Sequence, residues 1–263
     1  MNPATLPPDP ANLDARSAFA ALKAGLDVRA GGRIVAAVND ALSSGFPDLD
    51  RVLCGGFPRG TIAALEGPPS SGRTALLAGV LAGATQRGLA AIVDDGTLYP
   101  PGLERAGVLL ERVLIVNAQT PLEISRCADI LLRSRVFAAV AIPAAQLRAT
   151  VWSRLGGLAQ KAGCVLFALG VHASTELAYF ASTRVRCAID RVVWSGEPGV
   201  LCELAGYEVS AYVLKARRSA PGATAHLHVI DERIAHAALR SRACVSPVGG
   251  SSRELERAGG ARR

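Results

Sequence analysis

Short apolar runs alternate with helical segments through the middle of this chain of 263 residues, and this alternation restricts the fold more than any other feature. Five runs have the length and composition of buried strands, and segments with helical spacing separate several of them. Strands that alternate with helices form a parallel sheet with helices on both faces. The predicted strands cover residues 62–66, 89–93, 113–117, 136–142 and 164–169, and the main helices cover about 73–86, 121–134 and 144–162.

The pattern changes after Thr183, where brief turns rather than helices separate the apolar runs. Runs of this kind predict an antiparallel extension of the same sheet. The predicted strands of this extension are 191–195, 199–204, 207–215 and 225–230.

Composition divides the chain into three parts. We expect an N-terminal extension over 1–35 with a short helix at 14–25, a core domain over 36–242, and a flexible basic tail over 243–263. Hydrophobic residues make up 50% of the chain, which is enough for a packed core. No run of 18 apolar residues and no secretory signal is present, so we expect a cytoplasmic protein without a membrane span.

Charge and cysteine content favour no particular chemistry. The net charge is +7, and only three of the 29 basic residues are lysine, so nucleic-acid contact is permitted but not required. The six cysteines are scattered without C-x-x-C spacing, which predicts buried thiols such as Cys164 rather than zinc or disulfides.

His226 and His228 share one face of a strand, and an ordinary exposed face is favoured over a metal pair. Trp152 and Trp194 are expected in the core.

A phosphate-binding loop lies between the first strand and the first main helix. The glycines allow backbone amides to surround a phosphate, and the helix N-terminus attracts negative charge. Thr74 is in the position that holds magnesium. The loop reads Gly67-Pro68-Pro69-Ser70-Ser71-Gly72-Arg73-Thr74.

Arg73 occupies the position where this loop normally has lysine. A guanidinium keeps the charge but is longer and planar, whereas lysine acts as a compact point charge between the terminal phosphates. Two explanations fit the change: neutral drift in a lysine-poor chain, and loss of ATP hydrolysis. Arg73 alone does not distinguish them, so the other positions of the site are needed.

The chain resembles the nucleotide-binding core of the RecA recombinases over about residues 42–231. The motifs that carry the resemblance are LSSGFPDLDRVLCGGFPRGTIAALEGPPSSGRTALL, AAIVDDGTLYPPGLERAGV, ELAYFASTRVRCAIDRVVW and AYVLKARRSAPG. The resemblance implies an α/β fold with a RecA-type P-loop core, a mainly parallel central sheet, helices on both faces and an antiparallel extension at the C-terminal edge.

Three further positions depart from the catalytic pattern that the resemblance implies. Gly96 aligns with the acidic residue that activates the attacking water, although Asp94 or Asp95 is an alternative base. Pro143 stands where an aspartate supports magnesium, and Gly170 stands where a polar side chain senses the terminal phosphate. We therefore expect a pseudo-ATPase with no catalytic residue, no metal site and no resident cofactor, and at most weak binding of ATP or ADP.

The regions that align with the two DNA-binding loops of RecA are short. The first connection is nearly all helix, and the second is reduced to VHASTELAYF. Lys215, Arg217 and Arg218 align with basic residues that touch the neighbouring subunit's nucleotide in RecA. An interface or DNA contact and an ordinary basic edge strand are equally good interpretations of these three residues.

A shortened RecA-like domain with a degraded phosphate site resembles ImuA, a family of accessory proteins of damage-induced mutagenesis in the SOS response. Membership implies a non-catalytic adaptor with three partners: RecA, an ImuB-like inactive Y-family polymerase and an error-prone replicative-type polymerase. DNA contact is expected to be weak. The alternatives are an active ATPase of the RecA or KaiC group that uses Asp94 or Asp95, and a DNA-binding regulator that uses the basic hairpin and tail.

Overall fold

The computed structural model describes residues 41–196, 202–217, 222–230 and 244–247. The predicted N-terminal helix, Arg218 and most of the basic tail lie outside the described residues. The proposed domain boundaries therefore stay predictions.

A short antiparallel ribbon pairs β1 (Ala41–Leu42) with β2 (Phe57–Pro58). A separate nine-stranded sheet forms the centre of the described structure, and its strands are β3 (Ile62–Glu66), β4 (Leu89–Asp94), β5 (Val113–Asn117), β6 (Phe137–Pro143), β7 (Val165–Gly170), β8 (Thr183–Gly196), β9 (Cys202–Lys215), β10 (Thr224–Ile230) and β11 (Cys244–Pro247). Their order is β10–β9–β8–β3–β7–β6–β4–β5, with β11 paired to β8. The strands from β8 to β5 in that order are mutually parallel, and β9, β10 and β11 join in antiparallel pairs.

Helices cover both faces of the parallel part of this sheet. One core cluster joins the sheet to α1, α2 and α3, and a second joins it to α4, α5 and α6. The helices are α1 (Pro47–Val52), α2 (Arg73–Arg87), α3 (Pro100–Arg105), α4 (Pro121–Ser134), α5 (Ala149–Ala162) and α6 (Thr175–Phe180). The predicted fold class is confirmed: a mainly parallel α/β sheet with helices on both faces and antiparallel strands at one edge.

Burial explains why the central strands are so apolar. All five residues of β3 are buried, because β7 and β8 flank it and helices cover it on both faces. In β9, Val209, Ala211 and Val213 are fully buried and Tyr212 is 40% exposed, although Ser210, on the same face as Tyr212, is also buried. Burial that is heavier on one face is typical of an antiparallel strand with one covered face.

Two predicted boundaries were wrong. The helix predicted over 144–162 begins at Ala149, because residues 144–148 form a turn in which the Ala144 amide donates to the Leu169 carbonyl at 2.6 Å. The strand predicted at 191–195 is part of the 14-residue strand β8, and residues 202–204 of the strand predicted at 199–204 are part of the 14-residue strand β9. Residues 199–201 lie outside the described part of the chain. Periodicity alone could not predict the full length of β8 and β9, because the continuity of each strand comes from pairing with its neighbour.

The expected burial is confirmed for Trp152 and Cys164 and differs for Trp194. Trp152 is fully buried in the second core cluster, and Cys164 is buried in the same cluster, where burial raises its thiol pKa to about 12. Trp194 is only partly buried. His226 and His228 are exposed, as expected. Among the described residues, no three His, Cys, Asp or Glu side chains are placed to hold a metal.

Replacing Trp152 by alanine is expected to lower the free energy of unfolding by about 3–5 kcal/mol, because the change leaves a large cavity among fully buried side chains. Arg154→Ala is the matched control on the same helix. Its side chain is 59% exposed and pairs with Asp129 at 2.7 Å, so its loss should cost less than about 1 kcal/mol. Urea denaturation measures both, and equal losses would contradict the burial of Trp152.

Candidate phosphate site

The predicted phosphate loop connects β3 to α2 and is anchored at both ends. The Gly67 amide donates to the carbonyls of Gly170 and Val171 at 3.1 Å each, which joins the start of the loop to the end of β7. At the other end the Leu76 amide donates to the Gly72 carbonyl at 2.9 Å and begins the helix. The loop therefore leaves the carboxyl edge of the sheet and enters a 15-residue helix.

Both glycines of the loop are required by their surroundings. Gly67 has φ of 150°, and a Cβ there would lie 2.3 Å from Ser71 Oγ and 2.7 Å from the Cys187 carbonyl oxygen. Gly72 has φ of 88°, and a Cβ there would lie 2.5 Å from Val209 Cγ2. A side chain at either position would strain the backbone and collide with β8 or β9.

The guanidinium of Arg73 lies against the loop. Its Nη1 donates a hydrogen bond to the Gly67 carbonyl, which places the guanidinium across the loop's own first residue. The same charge reaches the buried thiol of Cys187: burial raises the pKa of Cys187 to about 12, and the positive charge of Arg73 opposes part of that rise. The loop therefore retains a cation beside its backbone amides.

The hydroxyl groups of the loop have different surroundings. Ser70 and Thr74 are exposed, with Ser70 in the left-handed region at φ of 59°. Ser71 is 3% exposed, and its buried hydroxyl has no hydrogen-bond partner within the described part of the chain. Thr74 is on the first turn of α2, where the motif predicts the magnesium ligand.

The end of β4 forms a tight turn that engages both candidate bases. Asp94 Oδ1 accepts a hydrogen bond from the Leu98 amide at 3.0 Å, and Asp95 Oδ1 accepts one from Thr97 Oγ1 at 2.7 Å. Gly96, which follows Asp95 and precedes Thr97, has φ of 94°. A glutamate would adopt this backbone conformation only with strain. The turn thus uses the two carboxylates as local acceptors.

The ends of β6 and β7 carry no polar side chain. Pro143 ends β6 and pairs with Leu169 of β7. Gly170 ends β7, and a Cβ there would lie 2.6 Å from Ala144 Cβ. A polar side chain at position 170 would require the turn after β6 to move.

A cleft of about 1170 Å³ opens beside the loop on the face of the sheet that α2 covers. Arg73 and Thr74 line it at the loop, and Asp94 and Asp95 line it at the end of β4. Aromatic and aliphatic side chains line much of the remainder, and no local pattern in the sequence predicts that they meet here: Phe46, Leu98, Tyr99, Leu204 and Tyr207.

Sequence reasoning also missed a buried ion pair next to the loop. Glu66 ends β3 with its side chain 2% exposed, and its Oε1 lies 2.7 Å from Nε of Arg184 on β8. Its Oε2 lies 3.8 Å from Arg186. The signal was present as a charged residue at the end of an apolar strand, because such a residue needs a partner when it is buried.

The basic residues predicted for an interface are not equivalent. Lys215 donates from Nζ to the carbonyls of Ala178 and Tyr179 at 2.9 Å each, so it holds the C-terminal end of α6. Partial burial, and then the charges of Arg184 and Arg217, lower the pKa of Lys215. Arg217 is exposed. Arg218 lies outside the described residues, and an interface role for the three stays a prediction.

Comparison with known proteins agrees with this geometry. No protein-family model matches the chain. RecA of Methylococcus capsulatus is 42% identical over 105 residues, which are 38% of this chain and 30% of that protein. RecA of Thermus thermophilus is 37% identical over 98 residues, 36% of this chain and 29% of that protein. This chain carries a RecA-like core.

The RecA-like core also has a match among solved structures. The crystal structure of the RadB recombinase superposes with a TM-score of 0.57 at 20% sequence identity, over 72% of this chain and 96% of that chain. At this identity the likeness concerns the fold alone. The matched segments span about 30% of the length of the curated RecA proteins. None of the described helices is long and apolar enough to cross a membrane.

Gly72→Ala is expected to lower the free energy of unfolding by about 1–3 kcal/mol, because the new methyl group overlaps Val209 and the backbone has φ of 88°. Gly83→Ala is the matched control: it lies in α2 with nothing within 4 Å, and it should stabilise by about 0.5–1 kcal/mol. Thermal and urea unfolding measure both variants. Equal effects would contradict the close packing of the loop on β9.

Proposed function

We propose that this chain is a non-catalytic RecA-like adaptor of DNA-damage-induced mutagenesis, of the ImuA type. In this role it links RecA to a translesion complex that contains an ImuB-like inactive Y-family polymerase and an error-prone replicative-type polymerase. The RecA-like core supplies the fold for this proposal. The degraded chemistry around an intact phosphate loop supplies the rest.

One observation supports the non-catalytic part of the proposal: the backbone around the site disfavours the missing side chains at positions 96 and 170. A glutamate at position 96 would need φ of 94°, and any side chain at position 170 would meet Ala144 at 2.6 Å. Pro143 has neither a carboxylate nor an amide donor. At position 170, Ala144 fills the space that a side chain would need, whereas at position 96 the nearest atom lies 3.8 Å away and the cost is backbone strain alone.

The hydrogen bonds of Asp94 and Asp95 favour this proposal over an active ATPase. Each carboxylate already accepts a bond within its own turn, from the Leu98 amide or from Thr97 Oγ1. A general base has to reach the attacking water with a free oxygen in the right place. Because each carboxylate already has one oxygen bonded within the turn, the turn restricts the movement of both.

An exposed sheet edge supports a protein partner. β5 is the last strand of the sheet and pairs only with β4 among the described strands. Its Leu114 and Ile115 are 47% and 38% exposed, and Leu122 and Ile130 of the following helix are 59% and 67% exposed. An open apolar edge of this kind accepts an added strand from another chain. We therefore assign β5 as a contact for one of the protein partners.

Ile115→Lys is expected to reduce binding of RecA or of the ImuB-like polymerase by tenfold or more, because a charge on an edge strand blocks strand addition. Tyr179→Lys is the matched control, since Tyr179 is 76% exposed on α6 at the other half of the sheet. Biolayer interferometry with each purified partner measures the effect.

Three results of that experiment would count against the proposal. Failure of the unmodified chain to bind either partner would contradict the adaptor role. Unchanged binding by Ile115→Lys would remove β5 from the interface. Loss of binding by Tyr179→Lys alone would indicate that the partner contacts the surface beside Lys215 and Arg217 instead of β5.

A further inference from the structure

The phosphate loop keeps the groups that hold two phosphates, and the cleft beside it lacks those that hold a third with magnesium. We propose that the loop and the cleft together bind a nucleoside diphosphate without magnesium, and bind it more tightly than the triphosphate. This inference rests on the proposed non-catalytic function, because a working ATPase requires the opposite preference.

The cradle for the phosphates is present. The loop amides precede a 15-residue helix, and the glycine conformations that curl the loop are in place. Arg73 holds its guanidinium on the loop through the Gly67 carbonyl. The Ser71 hydroxyl faces Gly67 across the loop, is buried, and has no partner among the described residues. An anion in the loop would supply that partner.

Magnesium lacks the ligands that it needs beside this loop. It prefers a near-octahedral set of oxygen ligands at about 2.0–2.1 Å. β4, which carries Asp94, is separated from β3 by β7 and β6, so the two strands are about 14 Å apart at the usual spacing. The two intervening strands end in Gly170 and Pro143, whose side chains offer no oxygen. No side chain at the ends of the two intervening strands can therefore help Thr74 and Asp94 to hold a magnesium ion.

The third phosphate would add charge without adding a partner. Arg73 and Arg105 are the only arginine or lysine side chains that line the described cleft, and Asp94 and Asp95 line it as well. A further negative charge in a cleft that already holds two carboxylates lowers affinity unless a cation accompanies it. Magnesium supplies that cation in active phosphate sites. Without it, the diphosphate is the better match.

Aromatic side chains that line the cleft suit a flat ring. Phe46, Tyr99 and Tyr207 line the same space as Arg73, and Tyr99 is 67% exposed. A base that packs against an aromatic ring gains affinity beyond the phosphate contacts. The inferred ligand is therefore a nucleoside diphosphate rather than pyrophosphate alone.

Calorimetric titration of the full chain tests the inference, with ADP, ATP and pyrophosphate each added with magnesium and with EDTA. ADP affinity should agree within about twofold in the two conditions, and ATP should bind about threefold more weakly or worse. Arg73→Ala should weaken ADP binding by about tenfold, because the loop loses its cation. Arg87→Ala, at the exposed far end of α2, is the matched control.

Tyr99→Ala provides a second test if Arg73→Ala proves unfolded by circular dichroism. It should weaken binding of ADP but not of pyrophosphate. Magnesium-dependent ADP binding, tighter binding of ATP, or no ADP binding at 1 mM, on the order of the weakest useful affinity, would each overturn the inference. Phosphate released in the ATP samples distinguishes failure of the proposed function from failure of the ligand inference. Release of phosphate would overturn the non-catalytic function itself. No ADP binding and no release of phosphate would overturn the ligand inference alone.

Discussion

The pairing of β3 between β7 and β8 is the constraint on which the rest of the structure depends. It buries all five residues of β3 and fixes where the strand ends. From that end, the Gly67 amide donates to the carbonyls of Gly170, the last residue of β7, and of Val171 after it, so the phosphate loop is attached to the neighbouring strand before the helix begins. The loop, the cleft and the nearby ion pair all take their positions from this one strand.

The same parallel pairing brings the altered positions together. β7, β6 and β4 follow β3 in the sheet, and their carboxyl ends meet at one edge. In an open α/β sheet this edge is where ligands bind. Here it carries Gly170, Pro143 and Gly96, while the loop that leaves β3 remains intact. The local packing fits these residues: Ala144 fills the space beside Gly170, and the turn at Gly96 uses the two carboxylates that precede it.

The sequence allowed prediction of the features that depend on local pattern. The phosphate loop, the five parallel strands and the fully buried Trp152 all followed from periodicity and spacing. Features that depend on contacts between distant segments did not follow. The Glu66–Arg184 pair joins residues 118 positions apart, and Lys215 reaches the end of α6 from a strand 36 residues later. The start of α5 at Ala149 was also missed, because a hydrogen bond from Ala144 to β7 competes with the helix.

In the proposed function, the chain keeps a phosphate loop but does not hydrolyse ATP. The most direct test of this central claim is to measure phosphate release from ATP by the purified full chain in the presence of magnesium. The unmodified chain and Thr74→Ala should both release phosphate at the rate of a sample without protein. Release above that rate by the unmodified chain, and its loss in Thr74→Ala, would contradict the non-catalytic function. Asp94 or Asp95 would then be the residue that activates water.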